Sequence, residues 1–335
     1  MGLSGRHHAL RMAFFMTATL AFHPGPALAA TCQYQNLMPE FLAFEQQTKD
    51  LPPARRTQLF ADDFAPRYPD FYGEMGQIEG YSGLPPKDRL MEDALRLLDP
   101  GNMETVPGFP PLTQERFETA ARAADADFSQ AQRMFSRTFP NFRCPATITF
   151  GPSFLHFDGH VYYDKSGRQH MMFGVDALAV EHPPADMPAL YTHELFHIYH
   201  REALGTAYPK GDRFSVLWSM WSEGLATYVS QQLNPTLSLQ QALVFPSDLV
   251  ERMQAPGTEQ HAARLMLADL DKSNSAWFDT MRAVADLPPR AGYYMGYVLA
   301  TSLGHRYSLD QLAHLRPALV KTEARKFFEA RAKAG

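Results

Sequence analysis

A change in hydrophobic period along the chain constrains the fold of this 335-residue sequence most strongly. Between Thr113 and Phe139, apolar side chains recur at steps of three and four residues, the spacing of one buried helical face. Two short runs, at 146–150 and 170–175, are then typical of β-strands. From Pro188 onward the pattern is helical again. This order predicts an α+β fold, in which a small mixed sheet is followed by a mainly helical half.

The individual helices are predicted from the same periodicity. The segment before residue 112 is rich in proline and glycine, which favour turns. Within it, only short helical patterns occur, near residues 40–51 and 88–98. In the second half, the predicted helices cover residues 188–203, 215–233, 259–271, 291–306 and a final stretch from Pro317.

The N-terminus has the three-part pattern of a secretory signal peptide. Two arginines are followed by an apolar run from Met12 to Phe22, and small residues end the segment at 27–30. The apolar run is too short for a permanent transmembrane helix, and the alternative is a short N-terminal membrane anchor. We therefore expect residues 1–30 to be removed on export to a bacterial periplasm or beyond. The mature chain is expected to have no stable membrane span.

Charge and cysteine content exclude several functional classes. The formal charge is -5, and without the first 30 residues it becomes -7, from 29 basic and 36 acidic residues. A nucleic-acid-coating protein needs a basic surface, so we expect no nucleic-acid partner. Two cysteines exclude an all-thiolate zinc site and a four-cysteine iron–sulfur cluster. In an oxidising compartment Cys32 and Cys144 can pair, and the alternative is two unrelated buried thiols.

The strongest chemical signal is the segment HELFH, which begins at His193 and ends at His197. Histidines four positions apart lie on the same face of a helix, so their two imidazoles can share one metal ion. Glu194 is offset by about 100° from His193, beside that face, where it can take a proton from a metal-bound water. The alternative is a pair of surface histidines on an amphipathic helix.

A catalytic zinc site needs a third protein ligand. His200 is a candidate, but three ligands on one straight helix cannot surround a metal, so it is expected to be a polar neighbour of the site. Glu223 is the better candidate, because it interrupts an apolar helical stretch in which an unpaired buried carboxylate would be costly. A metal would offset that cost. Gly224 and Ala226 are small enough to let this helix approach a neighbour closely.

HELFH, together with the segment EGLATY at 223–228, resembles the gluzincin metallopeptidases. In that group the third zinc ligand is a glutamate on the next long helix. The spacing, with residues 198–222 in between, is closest to a family of predicted zinc-dependent proteases that carry an HExxH motif and an EGLA segment. The resemblance covers about residues 145–305.

This resemblance implies roles for individual residues. His193, His197 and Glu223 are expected to hold Zn²⁺, and Glu194 is expected to deprotonate the attacking water. The resemblance also implies that the strand at 170–175 occupies the place of an edge strand, with which an extended peptide could pair. A plain strand within the sheet is the other interpretation, and it is the preferred one.

An oxyanion donor is expected on a later helix. Tyr293 and Gly296 resemble the Y-x-x-G arrangement of aminopeptidase-like gluzincins, in which the tyrosine hydroxyl has this role. Tyr297 is the second candidate, and simple aromatic packing is the alternative for both. A second metal site at His156 and His160 is not expected, because no further ligands cluster near them in the sequence.

The sequence therefore predicts an exported zinc metallopeptidase that hydrolyses peptide bonds of a peptide or protein substrate. Its expected organisation is a signal peptide at 1–30, an irregular and helical N-terminal region at 31–140 and a zincin-like catalytic domain at 141–335. Two alternatives stay open. The chain could be a zinc hydrolase acting on a non-peptide bond, or an exported binding protein without catalytic activity.

Overall fold

A computed structural model describes residues 32–99, 109–182, 187–209, 215–244 and 246–333. The predicted signal peptide lies outside these described residues. The four strands within them are β1 (Gln33–Asn36), β2 (Thr147–Gly151), β3 (Gly159–Tyr163) and β4 (Gln169–Gly174). The α-helices of the first half are α1 (Met38–Thr48), α2 (Pro53–Leu59), α3 (Pro69–Ile78), α4 (Lys87–Leu98) and α5 (Gln114–Thr138). Those of the second half are α6 (Val175–Glu181), α7 (Met187–Leu204), α8 (Val216–Leu233), α9 (Leu239–Leu243), α10 (Leu249–Gln254), α11 (Thr258–Asp269), α12 (Ala291–Gly304), α13 (Leu309–Ala313) and α14 (Pro317–Lys333).

This arrangement confirms the α+β class, since a small mixed sheet precedes a helical half. Most of the helices that the periodicity predicts begin and end within about two residues of their observed limits, whereas the pattern at 40–51 extends past the end of α1 at Thr48. Two of the starts are fixed by capping: Thr113 accepts a hydrogen bond from the Arg116 backbone N–H at the start of α5, and Ser215 caps α8 in the same way. The sequence missed α2 and α3, in the proline-rich N-terminal region, and the short helices α6, α9, α10 and α13.

The sheet has the strand order β1-β2-β4-β3. Strands β1, β2 and β4 are parallel, and β3 pairs with β4 in the antiparallel direction, with Gly159 opposite Phe173 and Tyr163 opposite Gln169. The strand at 170–175 is therefore a plain interior strand, the preferred interpretation, and the edge position that the resemblance implied for it is wrong. Strands β1 and β3 are the outer strands of the described sheet. The sequence suggested a turn where β3 begins, because Asp158 and Gly159 together are a common turn signal.

Two contacts tie the N-terminal region to the sheet. Strand β1 pairs residue by residue with β2, and a disulfide links Cys32 to Cys144 just before the two strands begin. The two Cα atoms are 5.0 Å apart, within the usual range for such a bond. The pairing of these cysteines, which the sequence left open, is thus a disulfide. No helix in the described ranges is long and apolar enough to cross a membrane.

The helices α8 and α12 pack closely because glycines face each other across their contact. A Cβ atom placed on Gly224 would lie 2.1 Å from the carbonyl carbon of Gly296, and one on Gly296 would lie 2.0 Å from the Met220 carbonyl oxygen. Neither position can hold a larger side chain without moving a helix. The prediction that Gly224 permits a close approach is confirmed. This contact brings Glu223, which precedes Gly224, near Tyr293, one turn before Gly296.

Candidate metal centre

Three predicted ligands converge at one point between α7 and α8. His193 Nε2 and His197 Nε2 are 3.0 Å apart, and each lies 3.3 Å from Glu223 Oε2. Ligand atoms of a tetrahedral zinc site, at 2.0–2.1 Å from the ion, are themselves about 3.3 Å apart. The spacing and the chemistry of this donor set therefore fit a zinc ion. The two ligand helices contact each other directly, and this contact makes the convergence possible.

The electrostatics of this cluster favour a charged glutamate. Burial would raise the pKa of Glu223, but the charges and hydrogen bonds of His197 and His193 outweigh it and hold that pKa well below its usual range. Burial would likewise lower the pKa of His197, but the Glu223 carboxylate raises it to about 9. Without a metal, the carboxylate is thus ionised and His197 is protonated at neutral pH, and a bound metal ion would replace that proton.

Glu194 lies beside the ligand cluster on the wall of the same cleft. Burial raises the pKa of its carboxyl group, and the nearby histidines lower it by less. Gly159 at the start of β3 faces this carboxylate, since a Cβ there would be 3.9 Å from Glu194 Cδ. A carboxylate with a raised pKa that opens onto a cleft is suited to accept and release a proton.

Two further residues surround the histidine ligands. The Ser222 hydroxyl is 3.3 Å from His197 Nδ1, the ring nitrogen that faces away from the cluster, and can orient this imidazole. His200 is buried between Phe196 and Trp218, whose ring centroids are 5.5 Å and 5.4 Å from its own. Burial lowers its pKa to about 3. The structure therefore places His200 among aromatic rings, outside the ligand set, with no hydrogen bond from either ring nitrogen.

The two tyrosine candidates on α12 point to different places. Tyr293 lines the cleft that holds the metal ligands, and burial together with the charge of Glu223 raises the pKa of its hydroxyl. The Arg290 guanidinium packs over its ring at 4.1 Å. The Tyr297 hydroxyl instead donates a hydrogen bond to Gln231 Oε1. Tyr293 is therefore the tyrosine placed to reach a molecule bound at the cluster.

The cleft itself has a volume of about 580 Å³ and runs beside the edge strand. Gly159, Val161 and Tyr163 line it, and these are alternate residues of β3, as expected for one side of a strand. At one end of the strand lie the carboxylates of Asp158 and Glu181. At the other end, the wall includes residues from the last turn of α7 and the segment after it.

Two other clusters of histidine and carboxylate occur in the described chain. His182 lies with Asp158 and Glu181 at one end of the cleft. His156 Nε2 lies 2.8 Å from Glu79 Oε1 and 3.3 Å from Asp93 Oδ1. The sequence did not anticipate the second group, because its acidic members come from α4 and the segment before it, far from His156 along the chain.

The His156 cluster is an ion-pair network. Arg89 Nη2 lies 3.1 Å from Asp93 Oδ1, and Arg89 Nε lies 3.2 Å from Glu79 Oε2. An arginine thus already supplies the cation that the two carboxylates require. His160 is held separately, 3.1 Å from Glu74 Oε1.

Comparisons with protein-family models, with curated proteins and with solved structures find no significant match to the chain. The resemblance to gluzincins therefore rests on the two sequence motifs and on the residues that they place together.

Proposed function

We propose that this chain is a zinc-dependent metallopeptidase of the gluzincin type, exported and acting on a peptide or protein. The observation that carries the proposal is the convergence of His193 Nε2, His197 Nε2 and Glu223 Oε2 within 3.0–3.3 Å of one another. An ionisable carboxylate, Glu194, and a tyrosine, Tyr293, lie on the walls of the same cleft and support the proposal.

The proposed roles follow from the chemistry of these side chains. Zn²⁺ held by the three ligands supplies a Lewis acid and lowers the pKa of water. Glu194 takes the proton from the attacking water and passes it to the leaving amine. The Tyr293 hydroxyl donates a hydrogen bond to the carbonyl oxygen as negative charge develops there. The raised pKa of Tyr293 keeps the hydroxyl protonated at neutral pH, so that it remains a donor.

The position of β3 supports a peptide as the substrate. It is an edge strand along the cleft, so an extended peptide can pair with its free backbone groups and lie across the metal ligands. Gly159 keeps this path open beside Glu194, because it has no side chain.

Export is supported by the disulfide between Cys32 and Cys144, since such bonds persist mainly in oxidising compartments. It agrees with the signal-peptide pattern of residues 1–30.

The proposal is tested by a peptidase assay on the full mature chain with casein and with a mixture of short peptides. We expect cleavage that a chelator abolishes and that added Zn²⁺ restores. Ester substrates in the same assay distinguish a hydrolase of another bond. If the zinc-loaded wild type cleaves no peptide, the proposed activity is wrong.

A further inference from the structure

One end of the cleft carries the positive charge of Arg201, which has no acidic partner among the described residues. On the assumption that the proposed function holds, we infer that Arg201 forms a carboxylate-binding subsite and selects peptides that carry a carboxylate about two residues from the scissile bond. Arg201 lines the same cleft as the metal ligands. The ligand is identified by its chemistry as a carboxylate, supplied either by an acidic side chain or by the C-terminus of the peptide.

The position of Arg201 follows from the helix that carries the ligands. His193, His197 and Arg201 are spaced by four residues on α7, so they form one stripe along the helix. Arg201 lies about 6 Å beyond His197 along the helix axis. An extended peptide advances about 3.3 Å per residue, so this distance corresponds to about two residues. The guanidinium is thus within reach of a substrate group but away from the reacting bond.

Two tyrosine rings hold the guanidinium in place. Arg201 Cζ lies 4.4 Å from the ring centroid of Tyr163 and 5.1 Å from that of Tyr208. Tyr163 is the last residue of β3, so the charge lies at one end of the strand that a peptide would pair with. Stacking on aromatic rings leaves the N–H edge of a guanidinium free to bind a carboxylate through two parallel hydrogen bonds.

No acidic side chain in the described parts of the chain pairs with Arg201. Arginines elsewhere show the contrast, since Arg89 and Arg325 each contact carboxylates. An ordered but unpaired guanidinium in the wall of a cleft is suited to bind an anion that comes from outside the chain.

The opposite end of the cleft carries charges of both signs. Asp158 lies there, next to the first residue of β3, and although burial would raise the pKa of its carboxyl group, His182 and Arg290 hold that pKa below its usual value. Burial and the neighbouring Asp158 carboxylate raise the pKa of Glu181 to about 8, against the effect of Arg290, so Glu181 is mostly neutral at pH 7. Arg201, in contrast, has no acidic partner among the described residues. The Arg201 end is therefore the one expected to favour a substrate carboxylate.

The test measures peptide binding by calorimetry to zinc-loaded protein that carries Glu194→Gln, so that bound peptides are not consumed. One set of alanine-rich peptides has a blocked C-terminus and an aspartate scanned through its positions. A second, neutral set ends in a free carboxylate or an amide. A carboxylate at the favoured position should tighten binding about tenfold or more, because hydrogen bonds to charged groups are strong. The set that shows the effect identifies the source of the carboxylate.

Adding Arg201→Gln should remove this preference and leave the affinity for neutral peptide amides unchanged. Arg201→Glu should reverse it, so that a lysine at the same position binds better than an aspartate. Arg137→Gln, on the exposed face of α5, is the matched control and should change nothing. Equal affinity for acidic and neutral peptides, or no binding of either, overturns the inference. If peptides bind with the expected preference but the wild type hydrolyses none of them, only the proposed function fails.

Discussion

Two clusters in this molecule use the same residue types for opposite purposes. Around His156, two carboxylates and an imidazole surround Arg89, whose nitrogens lie 3.1 Å and 3.2 Å from the carboxylate oxygens. Around Glu223, two imidazoles and one carboxylate meet within 3.3 Å, and no arginine or lysine of the described chain is paired with that carboxylate. The first cluster contains its own cation, and the second brings together donor atoms that could hold one.

This difference is the reason that residue type alone does not identify a metal site. Both clusters bring together atoms that could ligate an ion. Only the one at Glu223 has donors from two adjacent helices at the spacing of zinc ligands, next to a cleft and a second carboxylate. The charge balance of a cluster therefore has to be counted before a function is assigned to it.

The largest expected effect is a loss of activity, which should occur for a variant beside the Glu223 cluster and not for one in the His156 cluster. Glu194→Gln should lower kcat about 10²- to 10⁴-fold, because it removes the proton acceptor but no metal ligand. Zinc content, measured by elemental analysis, should stay unchanged. Glu79→Gln is the control from the other cluster and should leave kcat per folded molecule unchanged. An active Glu194→Gln variant would contradict the assigned role.

The next effect concerns the Tyr293 hydroxyl, which we propose stabilises the developing negative charge. Tyr293→Phe should lower kcat about 10²-fold with little change in KM, as expected for a donor that acts mainly in the transition state. Tyr297→Phe should have a much smaller effect, because its hydroxyl is bound to Gln231. Steady-state kinetics on the same peptide distinguish the two. Equal losses in both variants would argue for a packing role.

The third prediction compares the clusters by stability. Asp93→Asn should lower the free energy of unfolding by about 2–3 kcal/mol, since it removes one buried carboxylate partner of Arg89 and leaves Glu79 bound to it. Urea unfolding of metal-free protein measures the change. Glu223→Gln in the same metal-free protein should also be destabilising at neutral pH, because it removes the carboxylate that raises the pKa of buried His197 to about 9. An unchanged unfolding free energy in Asp93→Asn would contradict the structural role of the His156 network.

The smallest expected effect is on stability, at the contact between α8 and α12 that positions Glu223. Gly224→Ala should destabilise the protein by about 1–3 kcal/mol, because the added Cβ meets the backbone of α12 at 2.1 Å. Gly73→Ala is the matched helical control, with its nearest neighbouring atom 3.9 Å away. It should change the unfolding free energy by less than about 1 kcal/mol. Thermal or urea unfolding of both variants gives the comparison.

The sequence predicted what depends on spacing along a helix. The pairing of His193 with His197 follows from helical spacing. Glu223 was assigned from its place in an apolar stretch and from the resemblance of EGLATY to gluzincins, and the close approach at Gly224 from the small size of glycine. It did not predict the edge strand β3, because that five-residue strand begins at a turn signal and its pairing depends on β4.

Arg201 is a second feature that the sequence did not predict. In the sequence it is an ordinary charged residue near the end of a helix. Its environment comes from Tyr163 at the end of β3 and from Tyr208 in the segment after α7. No sequence pattern predicts either contact. Contacts between distant elements carry this information, so a single sequence cannot supply it.

The central claim is that the described chain holds zinc at His193, His197 and Glu223. The direct measurement is the zinc content of dialysed, folded protein by elemental analysis. We expect about one zinc per chain in the wild type and in His156→Ala, and almost none in His197→Ala. Equal zinc in the wild type and His197→Ala, or loss of zinc from His156→Ala alone, would contradict the account.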